Sequence, residues 1–273
     1  MILKNKGIAL DYSGENIFTM GFNNNIALCQ SEITKCILNG PIELLSNIIS
    51  DAVDSTPEEA LLDINQAVAN PLILSILIRR ILNDGMLSSE LLNNSYYHEN
   101  GFHKIVLLSG RNFKLRLHHF GVSYKAPMEN IHDHRWPFAS SVLYGHLNME
   151  LFKLTKTSEE AEELYHFIYD SDKKGGSYST ELKGKSFLRK ENTRTFNAGE
   201  SYLMLPDELH RIKNNHGEES ITLIITGNPV DANCNLYAKR SILEREKLTV
   251  KYEHKTLVKI LDGIIEKIAP QKN

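Results

Sequence analysis

His132 and His134 stand one residue apart in the segment Asn130-Ile131-His132-Asp133-His134-Arg135-Trp136-Pro137-Phe138, and a third histidine, His210, follows Leu209 far along the chain. Side chains alternate along an extended strand, so positions i and i+2 share one face. His132 and His134 can therefore grip one metal ion from the same side. His210, carried on another strand, would close the site. Neutral imidazole nitrogens are borderline ligands that suit Fe(II), Cu(II), Ni(II) or Zn(II). On iron, three such ligands leave adjacent positions open, which is the arrangement for oxygen activation with a substrate beside dioxygen. On zinc, three protein ligands and a water make a hydrolytic or Lewis-acid centre.

Other side chains could serve the same site. Arg116 and Arg135 could clamp a substrate carboxylate, since a planar guanidinium matches that group in two-pronged geometry. In the His118-His119 pair one ring must point inwards and one outwards, and His118 is the candidate substrate contact. Trp136-Pro137 would shape the wall beside the metal. Gly175-Gly176 reads as a loop and not a phosphate cradle, because no strand-turn-helix pattern surrounds it.

The elements that would position these residues change character along the chain. Residues 1–28 are polar and mixed, an irregular or short-stranded arm. From Ser31 to about residue 95 the apolar residues recur at helical spacing. Ser55-Thr56-Pro57-Glu58-Glu59 is a helix start with a cap, a first-turn proline and acids at the positive end of the dipole, and Asn70-Pro71 opens a further helix. After Gly101 the period switches to two. Phe102 to Leu108 and Phe113 to His119 read as a hairpin around Ser109-Gly110-Arg111-Asn112. Further strands are expected at 140–144, 147–154, 164–169, 186–190, 201–205, 210–214 and 220–226, with a mobile surface loop between 170 and 185. Many short strands with turns between them imply a sandwich or barrel. Beyond Pro229 the pattern returns to helix, at 236–248 and 256–268.

Composition bounds the class. The 273 residues suffice for one large core or a core with an accessory part, and 41% hydrophobic residues is ordinary for a globular protein. With 31 basic and 34 acidic side chains the formal charge is −3, which implies neither a nucleic-acid partner nor an anionic membrane. The longest apolar run, Leu72 to Ile78, ends at Arg79-Arg80 and falls well short of the ~20 residues that span a bilayer. Cys29, Cys36 and Cys234 cannot all pair and form no CxxC, so reduced thiols in a cytoplasmic protein are expected.

Gly145, eleven residues after His134, and the block Gly199, Pro206, His210 and Asn214 complete a pattern that resembles the two-part cupin motif over residues 100–230. The usual cupin glutamate falls at Phe138 or Ala139, leaving three histidines. In that respect the chain is similar to cysteine dioxygenase and related thiol dioxygenases, as are Ile131-His132-Asp133-His134, Gly145-His146-Leu147 and Leu209-His210-Arg211-Ile212. The resemblance implies a mainly β protein with α, a jelly-roll barrel with a helical N-terminal block and a helical C-terminal tail. Its division would be 1–99 for arm and helical block, 100–230 for the cupin barrel and 231–273 for the tail.

The same resemblance implies His132, His134 and His210 as iron ligands and Tyr202 as a catalytic hydroxyl, with Fe(II) first and Zn, Ni or Cu as alternatives. It implies a non-haem iron oxygenase that takes dioxygen and a small polar, amino-acid-like molecule. Arg116, His118, Arg135 and Trp136 are the expected substrate contacts, in a barrel interior made apolar by Trp136, Phe138, Val142 and Leu223. A zinc-type hydrolase or isomerase is the enzyme alternative, and a non-catalytic ligand-sensing cupin is the alternative of another class. The helical block would cover the barrel, or pair two copies as a homodimer.

Overall fold

The computed structural model describes residues 24–55, 57–98, 100–121, 129–170, 179–213, 217–239 and 250–270. The expected arm up to residue 23, Gly175-Gly176, Asn214, His216 and most of the expected helix 236–248 lie outside the described residues.

Five helices come first: α1 (Asn24–Asn39), α2 (Ile42–Ser55), α3 (Pro57–Val68), α4 (Pro71–Asn83) and α5 (Gly85–Asn94). The starts follow from capping chemistry. Asn70 Oδ1 accepts the backbone N–H groups of Leu72 (3.0 Å) and Ile73 (3.3 Å), and Pro71 sits where an N–H would be left over. The strands are β1 (Tyr96–His98), β2 (Phe102–Ser109), β3 (Lys114–Phe120), β4 (Ile131–His132), β5 (Phe138–Tyr144), β6 (His146–Thr155), β7 (Ala161–Asp170), β8 (Ser179–Asn197), β9 (Ser201–Met204), β10 (Leu209–Ile212), β11 (Ser220–Thr226), β12 (Cys234–Ala238) and β13 (Val250–Lys251). A last helix, α6, spans His254–Ile268.

The protein is mostly β, with two antiparallel sheets and helices. One sheet runs β13-β1-β2-β3-β11-β5-β9. In the other, pairing passes through β10-β4-β12-β7-β8-β6 and returns from β6 to β10. Three expectations change here. Leu236 to Ala238 is strand, not helix, because β12 fills the gap between β4 and β7. Residues 179–185 belong to β8 and pair with β7, so the expected surface loop is shorter. β1 and β12, outside residues 100–230, are both sheet members.

Alternation splits the first sheet into two environments. Ile105, Leu107, Leu115, Leu117, Ala139, Ile221, Leu223 and Ile225 face the helices and join Leu61, Ile64, Leu74, Leu77 and Leu261 in the main core. Each such leucine or isoleucine side chain contributes about 1.5–3 kcal/mol by leaving water. Leu223, expected to line the barrel interior, thus packs on the helical side. Phe138, Val142, Tyr202, Met204 and Ile224 face the other way, onto Leu147, Met149 and Phe196 of the second sheet. A third small core, with Ile131, Leu164, Leu188, Leu209 and Tyr237, lies on the far side of the second sheet.

Candidate metal centre

β4 and β10 lie side by side, and their pairing register sets His132 directly across from His210. Paired residues on adjacent strands share a face, and the neighbours Ile131 and Leu209 point the opposite way into the third core. His134 comes just past the end of β4, where its backbone N–H donates to Pro206 O at 2.9 Å. The β5–β6 turn needs the glycine expected at 145: φ is +70°, and a Cβ there would sit 2.1 Å from Glu219 O. The expected hairpin of β2 and β3 also forms, in register from His103↔His119 to Ser109↔Lys114.

One potential ligand atom from each of His132, His134 and His210 lies within 4.8 Å of the others. The rings are 4.9 Å (His132 to His134), 4.6 Å (His132 to His210) and 5.1 Å (His134 to His210) apart between centroids. The three histidines form a candidate metal centre.

The donor set fits a divalent transition ion. His132 Nδ1 lies 2.9 Å from Asn130 O, and His210 Nδ1 lies 2.9 Å from Glu208 O. A carbonyl can only accept, so Nδ1 carries the proton in both rings and Nε2 keeps its lone pair for a metal. Burial pushes His210 down to about 3 and His134 well below the usual range, so both rings are neutral and ligand-competent at neutral pH.

Asp133, between the first two histidines, is turned away by strand alternation and clamps β12. Its two carboxylate oxygens accept the backbone N–H of Asn235 and its side-chain amide, each at 2.5 Å. Asn235 Oδ1 in turn lies 2.8 Å from His166 Nε2. This clamp anchors the two-histidine segment without adding a carboxylate to the centre. Asn235 had no signal in the sequence, because only the β4–β12 pairing brings it to Asp133.

The wall of the site is aromatic. Phe138, in the glutamate position of the cupin pattern, meets His134 edge-on at 4.9 Å, and Trp136 lies 6.2 Å from the same ring. Tyr202 is buried, stacks on Phe196 at 4.3 Å and meets Phe138 edge-on at 6.2 Å. Burial holds its phenol well above the ordinary value, so it stays a neutral hydroxyl. Arg135 lies over Trp136 at 5.0 Å and donates to Ala232 O at 3.2 Å. His119 points outwards, where Glu219 accepts from it at 2.5 Å, and His118 points inwards. His146 Nε2 lies 3.1 Å from Glu218 Oε2.

Arg116 shares the inner face with Ile224, its partner in register, and its guanidinium lies 5.4 Å from the Trp136 ring on which His134 also leans. His118, the next inward residue, pairs with Lys104 on β2 and Thr222 on β11, which places all three on this face. Lys104 is a member that sequence reading missed. Its signal was the alternation Phe102, Lys104, Val106 in β2, legible only once register fixes which alternate points inwards.

No family model matches the chain, and no curated protein matches it. Among solved structures, hydroquinone 1,2-dioxygenase PnpCD in complex with Cd2+ and 4-hydroxybenzonitrile is similar at 14% identity and a TM-score of 0.30, over 52% of this chain and 72% of that one. Fe(II) HppE is similar at 11% identity and 0.30, over 72% of this chain and 97% of that one. Hydroxypropylphosphonic acid epoxidase from S. wedmorenis is similar at 14% identity and 0.27, over 73% and 96%. Likeness at this distance assigns neither family nor activity to the chain.

Proposed function

We propose that this protein is a cupin-type, mononuclear non-haem iron oxygenase that oxidises a small polar molecule with dioxygen. The observation that carries the proposal is the three-histidine cluster, with its ligand atoms within 4.8 Å and two of its rings held by backbone carbonyls in the tautomer a metal needs. His132, His134 and His210 would hold the ion, and Fe(II) there would supply redox chemistry toward dioxygen.

The chain's own residues supply the surroundings. Phe138 and Trp136 line the His134 side of the centre with apolar rings, against which an electrostatic contact is stronger than in bulk water. Tyr202, held neutral by burial, is a hydroxyl able to donate within the same aromatic layer. With no glutamate in the ligand set, the centre carries no fixed negative charge, which favours an anionic substrate over a cationic one.

Elemental analysis of protein purified without added metal tests the reading. Iron near one equivalent, with oxygen consumption that depends on an added small acid, is the expected result. Zinc in place of iron would move the reading to a hydrolase or isomerase. Less than about a tenth of an equivalent of any transition metal after Fe(II) loading, against the tight binding expected of three imidazoles, sinks the enzyme reading.

A further inference from the structure

We propose that Lys104, Arg116 and His118 form the seat for an anionic head group, a carboxylate or a phosphorus oxyanion, of the molecule whose other end reaches the histidine centre. The inference rests on the metal-centre reading for its functional sense, but the seat itself rests on separate observations.

The first is burial without partners. Arg116 retains only 8% of its exposure, yet its Nε finds no acceptor, and no acid lies within ion-pair reach of it among the described residues. His118 Nε2 and the hydroxyl of Thr222, the residue paired with His118, are likewise buried and unpartnered. Buried polar groups are nearly always hydrogen-bonded, and a buried charge left unpaired is strongly destabilising. Three such groups on one inner face mark a place completed by something else.

The second is charge of one sign. Lys104 lies across from His118 and rests its ammonium 5.2 Å from the Tyr96 ring, and Arg116 sits on the next inward position of β3. Burial lowers the proton affinity of both groups, and the Arg116 charge adds to the lowering at Lys104. Glu129 is engaged elsewhere, by Ile212 N–H at 2.7 Å and by the Asn100 amide at 3.2 Å. A bound oxyanion would accept from the guanidinium, the ammonium, the imidazole and the Thr222 hydroxyl together.

The third is position. Arg116 lies against one side of Trp136 and His134 leans toward the same indole, so the seat and the centre share a wall. Arg135, the other arginine on Trp136, is engaged with Ala232 O and lies outside the set.

Isothermal titration of the metal-free and the metal-loaded protein with inorganic phosphate, methylphosphonate and acetate tests the proposal, alongside the thermal midpoint with and without each anion. At least one anion is expected to bind saturably, and whichever binds tighter identifies the head group. Arg116→Gln and Lys104→Met should each weaken that binding about tenfold or more, with metal content unchanged, while Arg135→Gln leaves it unchanged. Because Arg116→Gln removes a buried guanidinium with no acid beside it, its thermal midpoint without anion should rise, whereas a merely structural cation would lower it. Absence of saturable binding to wild type, or binding retained by both variants, overturns the proposal. Anion binding that persists in a protein unable to hold metal would leave the seat standing and remove the oxygenase reading, so the two failures are distinct.

Discussion

The two faces of β3 carry side chains of opposite character. Leu115 and Leu117 point outwards, have no solvent exposure and pack against the helices. Arg116 and His118 point inwards, one residue away; Arg116 is almost as well hidden and His118 half-buried, and the buried Arg116 Nε and His118 Nε2 have no partner. On the helical side His119 Nδ1 is also buried without a partner, but the buried polar Asn65 is fully engaged. Asn65 of α3 donates to Leu223 O at 2.9 Å and to Ala139 O at 3.3 Å, and it accepts from the Ser141 hydroxyl. One face is built for stability. In the anion-seat proposal, the other gives up stability to keep donors ready for a ligand.

The largest expected effect is on the inner side of the molecule. His210→Ala or His134→Ala should abolish stoichiometric Fe(II) binding, read by elemental analysis after loading, because two imidazoles hold the ion far less firmly than three. Full stoichiometry in both variants would show the ligands to be elsewhere. The second effect belongs to the helical face. Leu117→Ala removes a side chain with no exposure and should cost about 2–5 kcal/mol in denaturant unfolding with metal content intact, so a loss below about 1 kcal/mol would contradict its place in the main core.

The smallest effect is pH dependence on that same face. His103, whose Nδ1 lies 2.7 Å from the Tyr252 hydroxyl, is held down to about 4 by burial and by the nearby His119. Its folded value lies below the unfolded one near 6.5, so the unfolded chain takes up the proton first as pH falls. The stability this ring contributes is complete above about pH 6.5 and is lost between 6.5 and about 4. Discounted for partial solvent screening, the loss is about 1–2 kcal/mol, and His103→Phe should flatten the stability profile across that window. An unchanged slope in the metal-free protein would reject the assignment.

Much of the scaffold was legible in residue order alone. Helical spacing and cap residues located α2 to α4, since Pro57, Asn70 and Pro71 act within a turn of where they stand. Period-two alternation located the β2–β3 hairpin and most later strands for the same local reason. The strands that escaped notice were β1, β12 and β13, of two to five residues each, too short to show a period. They are strands because a neighbour's backbone pairs with them.

At the centre, His132 and His134 were legible because a spacing of two places both rings on one face wherever the chain is extended. Gly145 was legible through its spacing in the cupin-like pattern, and the structure supplies the reason for it, a turn with positive φ. What tertiary structure alone decided was which distant strands meet. The β4–β10 register brings His210 to His132, the β4–β12 pairing gives Asp133 its role as a clamp, and the β2–β3–β11 register gathers Lys104, His118 and Thr222 beside Arg116. Alternation says that a side chain points to one face or the other, but which face is the inside depends on the sheet that closes over it.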